Sequence, residues 1–294
     1  MNIKYSMQKV TFLMKIIHSN YLRKTIIFSL SIYALLNLVG CNDSSDSKSK
    51  NIKSGTVVEN TSLKGKFIPV YEVARTNENR IEENLWRSRK ILEGYTAEMN
   101  SFVNIPVDIK VVAKECQEAN AFYDSETQTI ELCYELAAEE RKMFTDAGDS
   151  GDILENELYQ SAVGTLFHEA GHALIDVLNL KITGREEDVA DQLAAYILTY
   201  NDEDKDYLLT VADTYSLAAQ RAKSLDDLPF YDSHSLDAQR AVNFLCYVYG
   251  SDTKNFQYLI SDELLNKDRS EECEHEYNQI VDAWDFLLAP YFKK

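Results

Sequence analysis

Glycine and proline are both scarce in this chain, at 10 and 4 of 294 residues. No glycine falls into a GxGxxG, GxxxxGK[ST] or GxSxG pattern. The sequence therefore carries neither the phosphate-cradling loops of nucleotide-binding proteins nor the nucleophile elbow of serine hydrolases. Positive charge is short as well, with Lys+Arg 30 against Asp+Glu 48 and a net charge of −18. Five of the cations (Lys4, Lys9, Lys15, Arg23 and Lys24) sit in residues 1–41, which hold no acid, so the remainder carries 25 − 48 = −23. Such a surface repels nucleic acid and anionic lipid headgroups, and no nucleic-acid partner is expected. The length suits one large globular domain or two small ones.

What is present begins with an export signal. Arg23 and Lys24 precede a 15-residue apolar run, TIIFSLSIYALLNLV at residues 25–39, shorter than the ~20 residues of a membrane span. The run meets Leu38-Val39-Gly40-Cys41, which resembles a bacterial lipobox. That resemblance implies cleavage before Cys41, a lipid on its sulfur, and an exported protein held at the bacterial cell envelope by an N-terminal anchor. Residues 1–40 are thus expected to be a lipoprotein signal peptide, with translation starting at Met1, Met7 or Met14. After Cys41 the polar stretch NDSSDSKSKNIKSG cannot bury a core and reads as a flexible tether over residues 41–65.

Four further cysteines remain, Cys116, Cys133, Cys246 and Cys273. Export brings them into an oxidising compartment. Proximity favours Cys116 with Cys133 and Cys246 with Cys273, each bridge contributing ~3 kcal/mol by restricting the unfolded chain. A zinc site built from all four is disfavoured because none stands in a CxxC pair.

Residues 66–294 are the expected folded domain. FIPVYEV at 67–73 reads as a strand, residues 77–99 as a helix, and VDIKVVA at 107–113 as an alternating strand. Residues 121–123 and 129–134 flank a turn-like Asp124-Ser125-Glu126 and read as a hairpin. From about residue 136 the pattern is helical, so the fold class is α+β, a small N-terminal antiparallel or mixed sheet followed by helices.

One of those helices carries the chemistry. Asp152 and Glu155 have capping-box spacing, and Val163, Leu166, Phe167, Ala170, Leu174, Val177 and Leu178 form an apolar stripe. Within it stands His168-Glu169-Ala170-Gly171-His172. Residues four apart lie one above the other on a helix, so both imidazoles reach one metal, while Glu169, turned about 100°, reaches water at that metal. A catalytic zinc wants a third protein ligand and an open position. Glu187 is the candidate, with Glu186 its register competitor. Asp191, one turn on from Glu187, is placed to fix the tautomer of a ligand histidine. Against this stands the plainer reading of Glu186, Glu187 and Asp188 as acids favoured by the helix dipole.

HEAGH followed by ExxAD resembles the gluzincin arrangement of thermolysin-like peptidases. The run FHEAGHALIDVLNLKITGREEDVADQLAAYIL is similar to a family of uncharacterised bacterial zinc metallopeptidases, a likeness that continues through NAFYDSETQTIELCYEL, SHSLDAQR, YGSD and EYNQIVDAW. The resemblance implies a zincin-like fold, one Zn2+ held by His168, His172 and Glu187, and Glu169 as general base of peptide-bond hydrolysis. An oxyanion stabiliser is wanted too. His234 is the candidate, with Tyr231 and Arg240 behind it and a solvent-facing, helix-capping His234 as the alternative. His275, among Glu271, Glu272, Glu274 and Glu276, reads as a solvated surface residue. Residues 129–134 are either an edge strand that pairs with extended peptide or a core strand stapled by Cys133. The competing function is a non-catalytic zinc-binding envelope lipoprotein acting as a peptide-binding or interaction module.

Overall fold

The computed structural model describes residues 63–201 and 204–293. The expected signal peptide, the lipidation site Cys41 and the tether up to residue 62 lie outside the described residues. The chain enters the fold at Gly65, whose N–H donates to the Ile105 carbonyl at 2.9 Å.

Four strands form one mixed sheet: β1 (Phe67–Tyr71), β2 (Ile109–Lys114), β3 (Ala121–Asp124) and β4 (Thr129–Cys133), in the order β1-β2-β4-β3. β1 runs parallel to β2 and β2 parallel to β4, whereas β3 and β4 form the expected antiparallel hairpin. Ile109, Val111, Val112 and Ala113 of β2 are all buried, as befits a strand covered on both faces. β3 is an edge strand, half-exposed along its length. This overturns residues 129–134 as the peptide-facing edge, because β4 lies inside the sheet between β2 and β3.

Two helices, α1 (Asn77–Arg89) and α2 (Ile91–Phe102), occupy the stretch expected to be one. They part at Lys90, which adopts a left-handed conformation at φ 53° and closes α1 with its N–H on the Arg87 carbonyl. The switch turns α2 across β1 and β2. After the sheet come α3 (Tyr134–Ala147), α4 (Gly151–Val177), α5 (Glu186–Leu198), α6 (Lys205–Ala219), α7 (Asp237–Ser251), α8 (Tyr258–Ser261) and α9 (Lys267–Leu288). α3 ends on Gly148 at φ 101°, a left-handed cap that costs glycine nothing sterically. α4 starts after Ser150 with no side-chain cap. Asp152 and Glu155 thus form no capping box, since the helix begins one residue ahead of Asp152 and leaves it in the first turn.

The core sits where α4, 27 residues long and buried along most of its inner length, packs against α5, α6 and the β3–β4 hairpin. The C-terminus returns to the start of the fold, with the Asn104 N–H donating to the Tyr291 carbonyl at 2.7 Å. Cys116 is bonded to Cys133 and Cys246 to Cys273, as proximity suggested. The first staples the connection leaving β2 to the end of β4, and the second joins α7 to α9. Among the described residues no helix is long and apolar enough to cross a membrane.

Candidate metal centre

Residues four apart on α4 present two imidazoles to the start of α5. His168 Nε2 and His172 Nε2 stand 3.3 Å apart, and Glu187 Oε2 lies 3.3 Å from the first and 3.2 Å from the second. His168, His172 and Glu187 are the group of metal-ligating type that converges among the described residues. The other ring nitrogens are engaged by acids. His168 Nδ1 donates to Asp191 Oδ1 at 2.8 Å and His172 Nδ1 to Glu186 Oε1 at 2.8 Å. A carboxylate oxygen only accepts, so each Nδ1 carries hydrogen and each Nε2 is left as the ligand atom. Two imidazole nitrogens and a carboxylate oxygen, all electron-rich, thus face one another at about van der Waals contact. Such a convergence is stable only around a cation, either a proton or a metal ion, and the donor set fits a metal.

The electrostatics carry the same signature. Burial opposes charging His168, yet hydrogen bonds to Asp191 and Glu187 raise its pKa to about 9. Burial likewise opposes ionising Glu187, but hydrogen bonds from His168, His172 and His234 hold its carboxyl far below the ordinary carboxylate range. A proton shared among these groups does, in the absence of a metal, the job a metal would do better.

The close meeting of α4 and α5 depends on Gly171. A Cβ there would stand 2.6 Å from Ala190 Cα, so the glycine inside HEAGH and the alanine between Glu187 and Asp191 form one small-residue contact. Without it α5 could not bring Glu187 to the histidines. The four-residue spacing of Glu187 and Asp191 sets one against both Nε2 atoms and the other behind His168.

Glu169 is buried at 4 % exposure. Its Oε2 has no hydrogen-bond partner, and burial raises its carboxyl pKa. His234 does reach the site. Its ring stacks on that of His168 with centroids 6.1 Å apart, and its Nε2 lies 2.9 Å from Glu187 Oε2. Asp232 Oδ1 holds it from the far side, at 3.0 Å from Nδ1 and 2.9 Å from the backbone N–H.

The two reserve candidates do not take the role expected of them. Tyr231 is 94 % exposed. Arg240 is buried and turned onto Asp191, with Nε to Oδ2 at 2.9 Å and Nη2 to Oδ1 at 2.6 Å, and its guanidinium lies over the Tyr215 ring at 4.0 Å. Sequence reasoning missed this support, and it missed Glu186 as the partner of His172. The acid immediately before Glu187 was visible; the 49-residue separation of Arg240 from Asp191 gave no signal.

A cleft of ≈ 580 Å³ lies between β3 and α4, lined by Ala121, Phe122 and Tyr123 on one side and by His168, Glu169, His172, Glu187 and His234 on the other. Tyr123 donates across it to Asp176 at 2.8 Å.

A fold that lays an HExxH helix beside a sheet edge, with a carboxylate of ligand type brought in by the following helix, has the make-up of a metallopeptidase. A family described as "Putative metallopeptidase" matches residues 71–288, and the chain belongs to it. No curated protein and no solved structure matches the chain.

Proposed function

We propose that the protein is a gluzincin-like zinc endopeptidase that hydrolyses peptide bonds at the bacterial cell envelope. The observation that carries the reading is Glu169, a buried carboxylate with an unpartnered oxygen, one residue from a metal-ligating histidine and lining the same cleft as the converging ligand atoms. A purely structural metal site has no use for it. The spacing of the ligand atoms supports zinc, since tetrahedral bonds of ~2.0–2.1 Å hold ligand atoms roughly 3.3 Å apart.

Zinc, when bound, supplies a Lewis acid that acidifies water and polarises the scissile carbonyl. His168, His172 and Glu187 would hold it. Asp191 and Glu186 keep the ligand histidines in the tautomer that offers Nε2. Glu169 takes a proton from the attacking water as the C–O bond forms, and delivers it to the amine nitrogen as the C–N bond breaks. Its raised pKa suits both halves of that transfer. His234 Nε2–H, freed from Glu187, donates to the carbonyl oxygen as that oxygen gains charge. The open edge of β3 supports a substrate held as an added strand.

Two disulfides and the lipobox-like LVGC support an exported chain anchored through Cys41, with the tether giving residues 66–294 reach from the membrane.

The test is metal content per chain together with cleavage of a mixed peptide library, for the parent protein, His172→Ala and Glu169→Ala. We expect one zinc per chain in the parent and in Glu169→Ala, and loss of zinc and cleavage together in His172→Ala. Cleavage should fall at least ~100-fold in Glu169→Ala. Undiminished cleavage by Glu169→Ala overturns the mechanism, and a zinc-loaded parent that cuts nothing overturns the function.

A further inference from the structure

A second cavity of ≈ 260 Å³ lies between α3, α4, α6 and α7 and shares His168, Glu169 and His234 with the cleft. Its size is below the ~300–1,000 Å³ typical of sites for whole small molecules, which suits a single side chain. Its walls mix aliphatic and aromatic side chains, Leu136, Met143, Val211 and Phe244 among them, with polar and charged ones.

One of the lining residues is Glu140, on α3, 6 % exposed. Ser161 Oγ donates to its Oε1 at 2.8 Å, and among the described residues no cation pairs with it. The neighbouring cations are already engaged: Arg141 binds Glu82 through two hydrogen bonds, Arg221 pairs with Glu139, and Arg240 holds Asp191. Burial, opposed by the Ser161 hydrogen bond, pushes the Glu140 carboxyl up to about 7.

A buried carboxyl with one hydrogen bond is costly unless something completes it. Of the five acids lining the cavity, Glu139 and Asp191 are paired with its two arginines, leaving Glu140, Glu169 and Asp237 without one. A buried, unpaired carboxyl beside Leu136, Met143, Val211 and Phe244 is complementary to a long side chain with an aliphatic stem and a cationic tip.

We infer that this cavity is a specificity pocket that admits a lysine or arginine side chain of the substrate, and that Glu140 in its wall reads the positive charge. The inference rests on the peptidase reading for its meaning, but the recognition it describes is a binding property and can be measured without turnover.

The test uses the zinc-loaded full-length Glu169→Ala protein in detergent, titrated with alanine peptides carrying lysine, or its uncharged near-isostere norleucine, at each position in turn. One position should favour lysine by about tenfold or more, the scale of a hydrogen bond to a charged group. Glu140→Gln, added to that background, should reduce the ratio to near one while zinc content stays the same. No preference at any position overturns the inference, and a preference that survives Glu140→Gln overturns the assignment to Glu140. The same peptides, incubated with the parent protein, separate the two failures. Cleavage without a lysine preference in binding removes the pocket and leaves the peptidase. A lysine preference without cleavage of any peptide removes the peptidase and leaves the pocket.

Discussion

Arg240 grips Asp191 with two hydrogen bonds, and the Oδ1 that receives its Nη2 at 2.6 Å is the one that meets His168 Nδ1 at 2.8 Å. Asp191 and Arg240 are both buried, at 8 % and 9 % side-chain exposure. The carboxylate therefore stays ionised, and the imidazole in front of it is aimed by a charge pair drawn from two helices. Burial opposes ionising Asp191, but the charge of Arg240 and the hydrogen bond from His168 hold its pKa down.

Asp191→Asn keeps an acceptor for both partners but leaves the buried Arg240 charge unneutralised, so it should cost some stability and weaken zinc by about 10–100-fold, because the ring loses the charge behind it. Arg240→Ala should do more damage to the fold than to the metal, since it strands a buried carboxylate, a change worth about 3–5 kcal/mol. Zinc titration and thermal melts of the two variants would show whether these effects separate; an Arg240→Ala protein as stable as the parent would contradict the role given to the pair.

Gly171→Ala is a conservative change on paper and should not be one here. Alanine favours a helix by up to ~1 kcal/mol over glycine, but the new Cβ meets backbone, Ala190 Cα at 2.6 Å, and backbone cannot rotate away. The clash should win by about 1–3 kcal/mol and carry Glu187 outward with α5. Reduced stability and weaker zinc binding are expected together. A variant that melts higher than the parent and binds zinc unchanged would show that the contact is slack.

These two sites also mark how far the sequence could be read. The spacing of His168, Glu169 and His172 encodes a helix face directly, and the hairpin and the cysteine pairs are local. Glu187 and Asp191 were legible because a four-residue step on a helix repeats the step of the histidines. The Asp191–Arg240 pair and the carboxyl of Glu140 were not, because each depends on which helices end up side by side. The sheet order is of the same kind. Parallel crossovers place β2 between β1 and β4, and alternation along β4 says nothing about whether a neighbour covers its edge. The break at Lys90 was invisible for a different reason: a lysine at φ 53° leaves no mark of glycine or asparagine in the sequence.

His234 has a role that metal content and kinetics can resolve. Its hydrogen bond to Glu187 first, against burial, and its bond to Asp232 raise its pKa. His234→Ala should retain zinc at full stoichiometry, leave KM nearly unchanged and lower kcat by about 10²–10³, the loss seen when a single oxyanion donor is removed. Loss of zinc in this variant would instead make His234 a ligand.

Metal and proton compete for one place, and the sign of the competition can be worked out. Without metal, hydrogen bonds to Asp191 and Glu187, acting against burial, raise His168 to about 9, above the ~6.5 of an unfolded histidine. Such a group stabilises the folded chain fully below pH 6.5 and loses that contribution as pH climbs through about 9. His172 is raised too, by Glu187 and Glu186 against burial, and acts in the same direction. Zinc needs both Nε2 atoms free of hydrogen. Binding at pH 7 should therefore expel at least one proton, and apparent affinity should rise with pH up to about 9 and then level off. The metal-free protein should lose stability between pH 6.5 and 9 while the zinc-loaded protein holds its own. Calorimetric titration with zinc in buffers of differing ionisation enthalpy counts the protons directly. A count of zero at pH 7 would mean that the histidines are already neutral, and that the converging lone pairs are separated in solution by something other than a shared proton.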